Sequence, residues 1–266
     1  RLSDEDFKKV IRKGVANVAK AGIVEEEFEE FFKLFTYQSG IFEKHEEYVA
    51  LASRIKEAEA SWGLCASKLF YLAVPPSAYE KIFENLAAVE LNTPCGGDLG
   101  WSRILIEKPF GHDLASALEL QKLLSKYFKE EQVYRIDHYL FKEIVQGIQN
   151  FRFSNNLLET TWSAANIERI DVRLHESIGV ESRGKFYDSI GALQDVGQNH
   201  LLMMLAAITM EYPFGMDSLS VRQNRAAILS TLAPWTDETL RTQTYRAQYE
   251  GYRNIENVRP DSQTET

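Results

Sequence analysis

The sequence predicts an α/β protein built on a doubly wound parallel sheet, followed by a region of different character. Three observations carry this. Between residues 69 and 150 short apolar runs alternate with helical periods, the pattern of parallel strands joined by helical crossovers. Charged residues gather at the ends of those runs, where such sheets place their ligands. Beyond residue 150 the alternation stops.

The elements follow in order. Ser3 and Asp6 predict a capped helix running to about residue 20. Residues 25–35 set acids among Phe28, Phe31, Phe32 and Phe35 at a helical period, an aromatic stripe expected to pack in a core. A third helix is expected over residues 43–60. Leu69-Phe70-Tyr71-Leu72-Ala73-Val74, closed by Pro75-Pro76, reads as a buried strand. Ser77 is placed to cap the helix that follows, to about residue 88. Arg103-Ile104-Leu105-Ile106-Glu107 is a second strand, and helix returns over residues 114–128. Gln132-Val133-Tyr134-Arg135-Ile136 is a third strand, with a helix expected from about Tyr139. Residues 167–174 alternate, with Arg169, Asp171 and Arg173 interleaved, and read as a half-exposed strand. Residues 193–210 form a very apolar helix, interrupted by Asp195, Gly197, Gln198, Asn199 and His200.

Composition bounds the possibilities. A chain of 266 residues accommodates one to two domains. With 44% apolar and 26% charged residues it is no disordered chain. No apolar run approaches the ~18 residues of a membrane span. The start, Arg1-Leu2-Ser3-Asp4, shows no apolar leader, so no secretory signal is expected. Thirty basic against 39 acidic residues give a net charge of −9, which disfavours nucleic acid as a partner. A small phosphorylated ligand needs only a local cluster of donors. Cys65 and Cys95 are too few for a disulfide framework and lack metal-ligand spacing, so a reducing cytoplasm is the expected setting.

Three stretches could carry chemistry. In Arg135-Ile136-Asp137-His138-Tyr139-Leu140-Phe141-Lys142-Glu143, a helix starting after Asp137 would set His138 and Lys142 at i and i+4, beside free backbone N–H groups. That makes a small anion site. The same spacing equally serves a capped helix with an exposed lysine and a packed histidine. Between Asp195 and His200, polar side chains inside an apolar helix cost energy unless paired. At i and i+5 these two share no α-helical face, so spacing alone brings no contact between them. Lys108, ahead of Pro109, is biased to extended backbone, either ending its strand or reaching into a cleft. The run Cys95-Gly96-Gly97-Asp98-Leu99-Gly100 mimics a glycine-rich phosphate loop, but it precedes a strand instead of following one and reads as a turn. No G-x-G-x-x-G occurs.

Taken jointly, three motifs resemble glucose-6-phosphate dehydrogenase. They are Ile106-Glu107-Lys108-Pro109-Phe110-Gly111, Tyr134-Arg135-Ile136-Asp137-His138-Tyr139-Leu140, and Asp195 through Gln198-Asn199-His200-Leu201-Leu202. Their order and spacing agree with the family. Tyr71-Leu72-Ala73-Val74-Pro75-Pro76, Gly100-Trp101 and Pro260-Asp261-Ser262 add to the likeness, which covers essentially the whole chain. The resemblance implies a partial Rossmann-like coenzyme domain over residues 1–137. Part of an α+β substrate and dimerisation domain, with a large, mostly antiparallel sheet, follows over 138–266. It further implies a strand and glycine loop upstream of Arg1, more sheet beyond Thr266, and a homodimer or tetramer for the full-length enzyme.

The resemblance also implies roles. Hydride would pass from C1 of glucose 6-phosphate to NADP, giving 6-phosphoglucono-δ-lactone. His200 matches the general base and Asp137 the carboxylate that orients it. His138, Tyr139 and Lys142 match the phosphate grip. Glu176 and Asp195 match carboxylates bonded to sugar hydroxyls, and Lys108 a lysine reaching both sugar and coenzyme. Ala73, Val74 and Pro75 would border the nicotinamide. Phe141 departs from the family's usual glycine, as do Lys185 from glycine and Met203 from glutamine. Two other readings share these residues: a non-catalytic sugar-phosphate-binding remnant or inactive fragment, and a different sugar dehydrogenase with the same Glu-Lys-Pro motif. The Asp-His-Tyr and Gln-Asn-His pair favours the first reading over the last.

Overall fold

The computed structural model describes residues 2–18, 25–96, 100–155, 159–213 and 217–266, without the side chains of residues 16–18 and 25–28. The chain forms two compact units, one of Arg1–Pro109 with Ala117–Arg135, the other of Phe110–Ser116 with Ile136–Thr266.

The first unit opens on α1, Asp4–Val18. Its start is fixed as the sequence implies. Ser3 Oγ donates to Asp6 and accepts the Asp6 N–H, a reciprocal cap. α2, Glu25–Lys33, carries the aromatic stripe. Phe32 is buried, while Phe31 is half open and packs edge-on against Phe35 at 4.8 Å. The side chain of Phe28 lies outside the described residues. α3, His45–Trp62, ends at Gly63, whose φ of +66° is the left-handed conformation that glycine adopts without steric cost.

β1, Lys68–Leu72, pairs in parallel with β2, Ser102–Glu107, with Lys68 opposite Ser102 and Leu72 opposite Ile106. Between them lies α4, Tyr79–Ala88. Ser77 does not cap it, contrary to expectation: a 3₁₀ turn over Pro76–Ala78 intervenes, and Pro75 O accepts the Ala78 N–H instead. After β2 comes α5, Leu114–Tyr127, then β3, Val133–Ile136. The sheet order is β1-β2-β3. Ile104 and Ile106 of β2 are fully buried, with Phe83, Leu124 and Val133. Phe83 meets Phe128 edge-on at 5.5 Å. Gln132 Nε2 donates to the carbonyls of Asn92 and Ser102 at 2.7 and 2.8 Å, tying the approach to β3 to the start of β2. Cys65 and Cys95 are bonded to each other. Their spacing of 30 residues gave no sign of this, because the parallel sheet, and not the local sequence, brings them together.

In the second unit a turn follows β3, and α6, Glu143–Phe153, begins only after it. α7, Gly184–Tyr187, is a single turn. Residues Leu193–Leu201 form a π-helix that continues as α8, Leu202–Thr209. α9, Ser218–Ser230, is capped by Asp217, and α10, Asp237–Gln243, by Thr236. Arg152, almost wholly buried on α6, donates to the carbonyls of Ile208 and Met210 and pairs with Glu159 at 2.9 Å, locking α6 to the end of α8. A second cluster joins Val180, Tyr187, Tyr252 and Val258. Beside it, buried Asp188 accepts from Tyr252 Oη, Ser262 Oγ and Arg259 Nε. Burial opposes its ionisation, but these donors outweigh it and bring its pKa down to about 2. Gly184 packs so closely that a Cβ there would lie 2.3 Å from the carbonyl of Glu256.

The expected strand over residues 167–174 does not form. Among the described residues no strand follows β3, and the large antiparallel sheet is not seen. Alternation marks a segment that can pair, but a strand exists only when a partner supplies the ladder. Here Arg169 and Arg173 instead pair with Asp171 between them, at 2.7 and 3.9 Å.

Candidate active site

The site in the second unit is set by one residue, Asp137, directly after β3. Its Oδ1 accepts the Tyr139 N–H at 3.0 Å, closing an Asx turn. This turn competes with helix initiation, so the helix expected from Tyr139 starts instead at Glu143, with Lys142 at its N-cap position. His138 and Lys142 therefore do not share a helical face. They gather around Tyr139 instead. The His138 and Tyr139 rings lie 4.6 Å apart, and Lys142 Nζ sits 3.8 Å from the Tyr139 ring centroid, a cation–π contact.

The same Asp137 Oδ1 lies 2.7 Å from His200 Nδ1. His200 is 1% exposed. A carboxylate at Nδ1 favours the tautomer with its proton there, which leaves Nε2 as the basic nitrogen. The Tyr139 ring stacks on His200 with centroids 4.0 Å apart, and His138 meets it edge-on at 4.8 Å. Tyr139 Oη donates to Glu176 Oε1 at 3.4 Å. Burial first, then the charge of Glu176, pushes the Tyr139 phenol above its ordinary value, so it remains an O–H donor.

The π-helix brings Asp195 into this group. Its hydrogen bonds run from i to i+5, so residue i+5 sits about one turn above residue i. Asp195 and His200, which an α-helix would turn apart, are both buried. Asp195 lies 3.8 Å from Arg183, and its charge acts on Tyr139. Phe141 does not obstruct the site, since its ring is 69% exposed. Lys185 is exposed and Met203 half-buried.

One charged neighbour escaped the sequence reading. Arg225, on α9, has a buried Nε with no hydrogen-bond partner among the described residues. Burial lowers its guanidinium below the usual range, Arg222 adds to this, and Asp137 opposes it. The only sequence signal was an arginine pair at i and i+3. Ligand atoms of Asp137, His138 and His200 lie within 4.8 Å of one another, a spacing a metal ion could use. However, the 2.7 Å contact between Asp137 and His200 has hydrogen-bond geometry, with His138 edge-on beside it, so the group needs no metal to hold it together.

The remaining predicted residues belong to the first unit. Ala73, Val74 and Pro75 follow the carboxyl end of β1, with Ala73 and Pro75 exposed. Lys108 follows the carboxyl end of β2 and joins Pro109 through a cis peptide. Since Leu72 pairs with Ile106, both groups emerge at one edge of the sheet.

A parallel α/β unit with polar groups at its strand ends, followed by a unit in which half-buried Asp137 holds buried His200, defines a two-part α/β protein with a candidate proton-transfer pair. The comparisons narrow it. The model of the glucose-6-phosphate dehydrogenase NAD binding domain matches residues 1–147, and that of the C-terminal domain residues 149–266. Glucose-6-phosphate 1-dehydrogenase of Chlamydia muridarum is 36% identical over 276 residues, covering 99% of this chain and 54% of that protein. The Saccharomyces cerevisiae enzyme is 42% identical over 214 residues, or 80% of this chain and 41% of that one. A solved glucose-6-phosphate dehydrogenase in complex with glucose-6-phosphate superimposes with a TM-score of 0.87 at 35% identity. The Mycobacterium avium enzyme gives 0.84 at 34%. Each covers 100% of this chain and 55% of the solved one. The chain belongs to the glucose-6-phosphate dehydrogenase family. It spans about half the length of the curated relatives it matches.

Proposed function

We propose that this chain carries the sugar-phosphate site and part of the coenzyme domain of an NADP-linked glucose-6-phosphate dehydrogenase. The reaction takes D-glucose 6-phosphate to 6-phosphoglucono-1,5-lactone, the entry to the oxidative pentose phosphate pathway. The pair of half-buried Asp137 with buried His200 is the observation that carries the reading.

His200 Nε2 takes the proton of the C1 hydroxyl as the C1 hydride leaves. Asp137 holds the ring by Nδ1 and stabilises the imidazolium that forms. Lys142 and His138 supply cationic and N–H donors to the phosphate, and Tyr139 adds its phenol. Glu176 and Asp195 accept hydrogen bonds from sugar hydroxyls. A substrate lacking the hydroxyl opposite buried Asp195 leaves that carboxylate without its donor and is rejected, whereas exposed Glu176 can turn to water.

The coenzyme, when bound, supplies the hydride acceptor. The first unit fits it: Ala73 and Pro75 are open at the carboxyl edge of the sheet, beside the strand that Lys108 follows. Ala73, Val74 and Pro75 would border the nicotinamide, and Lys108 would reach it and the sugar. The reading includes a large antiparallel sheet, with residues 167–174 as a strand once paired, a homodimer or tetramer, and a cytoplasmic setting like that named for the Arabidopsis thaliana relatives.

The test is NADPH absorbance on the purified protein with glucose 6-phosphate and NADP, beside calorimetric titration of glucose 6-phosphate. Turnover supports the whole assignment. Sugar-phosphate binding without turnover supports the substrate site alone, and neither signal overturns the reading for this chain.

A further inference from the structure

At the amino ends of β1 and β2, the edge of the sheet opposite Ala73 and Lys108, a second group of reactive side chains has been assembled. The Cα atoms of Cys65 and Cys95 are 6.0 Å apart, within the range a disulfide spans. Cys95 is exposed and Cys65 half-buried. Lys68, at the start of β1, places Nζ 3.5 Å from Cys95 Sγ, 2.8 Å from Glu59 Oε1 and 3.2 Å from the Ala66 carbonyl. Its side chain is only 9% exposed, so this ammonium is fixed beside the sulfur. Glu59 also accepts the Ala66 N–H at 3.0 Å and lies 3.5 Å from Cys95 Sγ. Gly100, with φ of +77°, closes the other side: a Cβ there would sit 3.3 Å from both Cys65 Sγ and the Ala66 carbonyl.

We infer that Cys65 and Cys95 form a reversible dithiol–disulfide modification site, served by exchange with a small-molecule disulfide or thiol. The Lys68 ammonium favours the Cys95 thiolate and the Glu59 carboxylate at the same distance opposes it, so removing Lys68 leaves only the opposing charge; the exposed cysteine meets the reagent first. In the oxidising direction the Cys95 thiolate attacks one sulfur of the external disulfide RSSR. The S–S bond breaks, a mixed disulfide forms and one RS⁻ leaves. The Cys65 thiolate then attacks the Cys95 sulfur, forming the Cys65–Cys95 bond and expelling the second RS⁻. Two electrons pass to RSSR, and the two thiol protons end on the two RSH released. Reduction reverses both steps. Glu59, Cys65 and Cys95 also have metal-compatible spacing, but a divalent cation there would face the fixed charge of Lys68. The link ties the segment entering β1 to the one entering β2, at the sheet edge opposite Ala73 and Lys108. Its reach is the stability of the first unit.

The experiment equilibrates the purified protein in graded mixtures of glutathione and glutathione disulfide, quenches with iodoacetamide and maps the peptides by mass spectrometry. Cys65 and Cys95 are expected to pass together from doubly alkylated to one cross-linked peptide. In the reduced protein, Lys68→Met should slow alkylation of Cys95 at neutral pH by about tenfold, while Lys68→Arg, which keeps the charge, should not. Separate glutathione adducts on the two cysteines under fully oxidising conditions would overturn the inference. So would an alkylation rate indifferent to Lys68→Met in a protein that still folds. If Lys68→Met does not fold, Lys68→Arg and the cross-link itself decide. Stoichiometric Zn²⁺ uptake by the reduced protein, with both thiols protected, would replace the inference with a metal site.

Discussion

Asp137→Asn isolates the charge of the pair at nearly constant shape. The carboxylate contacts His200 Nδ1 at 2.7 Å and also accepts the Tyr139 N–H at 3.0 Å. An asparagine Oδ1 can keep both acceptor roles, so the turn and the ring orientation survive. On the proposed mechanism, what is lost is the attraction between a carboxylate and the imidazolium that forms during proton removal. Two unit charges with centres about 4 Å apart, at an effective dielectric of about 20, attract by about 4 kcal/mol. At 1.36 kcal/mol per decade, that is roughly a thousandfold in kcat. His200 is almost fully buried, so water offers little replacement. The assay is steady-state NADPH formation in active enzyme carrying this chain, with glucose 6-phosphate varied, and calorimetry for substrate binding. The expected result is a fall in kcat of about 10²–10⁴ with KM changed by less than about threefold. A kcat within tenfold of the parent would refute the pairing argument. So would His200→Asn with undiminished turnover.

Three further outcomes are expected. Lys142→Ala should weaken glucose 6-phosphate by about 1.5–3 kcal/mol while leaving glucose almost unaffected, as parallel titrations will show; equal weakening of both ligands argues against a phosphate contact. Asp188→Ala leaves Tyr252 Oη and buried Ser262 without their acceptor while exposed Arg259 rehydrates, a cost of about 2–6 kcal/mol and a drop in melting midpoint on the order of 10 °C. The Asp188 carboxyl is held at about 2, below its usual 3.8, so its stabilisation is complete above the unfolded value and is lost as pH falls toward 2. Acid titrations of parent and variant should therefore converge at the lowest pH, and parallel curves would contradict the assignment. Gly184→Ala drives a methyl into the Glu256 carbonyl and should cost at least about 1–3 kcal/mol in chemical denaturation, whereas an unchanged midpoint means the backbone there yields freely.

Much of the first unit was legible because its signals are local. Ile104 and Ile106 stand in an apolar run, Pro75-Pro76 stands just beyond β1, which stops at Leu72, and the helices between strands carry their own period. The pairing of Cys65 with Cys95 was not legible, since it depends on the register of Lys68 against Ser102. Nor was the fate of residues 167–174, because alternation describes one strand and a sheet needs two.

The sequence names the residues of the candidate site but not their geometry, and each departure lies in a backbone hydrogen bond that the sequence reading took for granted. Reading Asp137 as the residue before a helix assumes that the backbone N–H groups beyond it go unclaimed. In the structure Asp137 Oδ1 takes the Tyr139 N–H, and the helix waits until Glu143. Reading Asp195 and His200 as facing apart assumes i to i+4 hydrogen bonds. The chain uses i to i+5 bonds from Leu193 to Leu201 instead. A π-helix gives up favourable backbone packing, and such segments concentrate at functional sites because the side-chain arrangement compensates. Here the compensation is visible: His200 reaches the carboxylate that set the turn. Its ring then lies against Tyr139, the residue that the same turn positioned. One acceptor atom, Asp137 Oδ1, therefore fixes the local backbone and the imidazole together. This is why Asp137→Ala should disturb the shape of the site as well as its charge, whereas Asp137→Asn should disturb the charge alone.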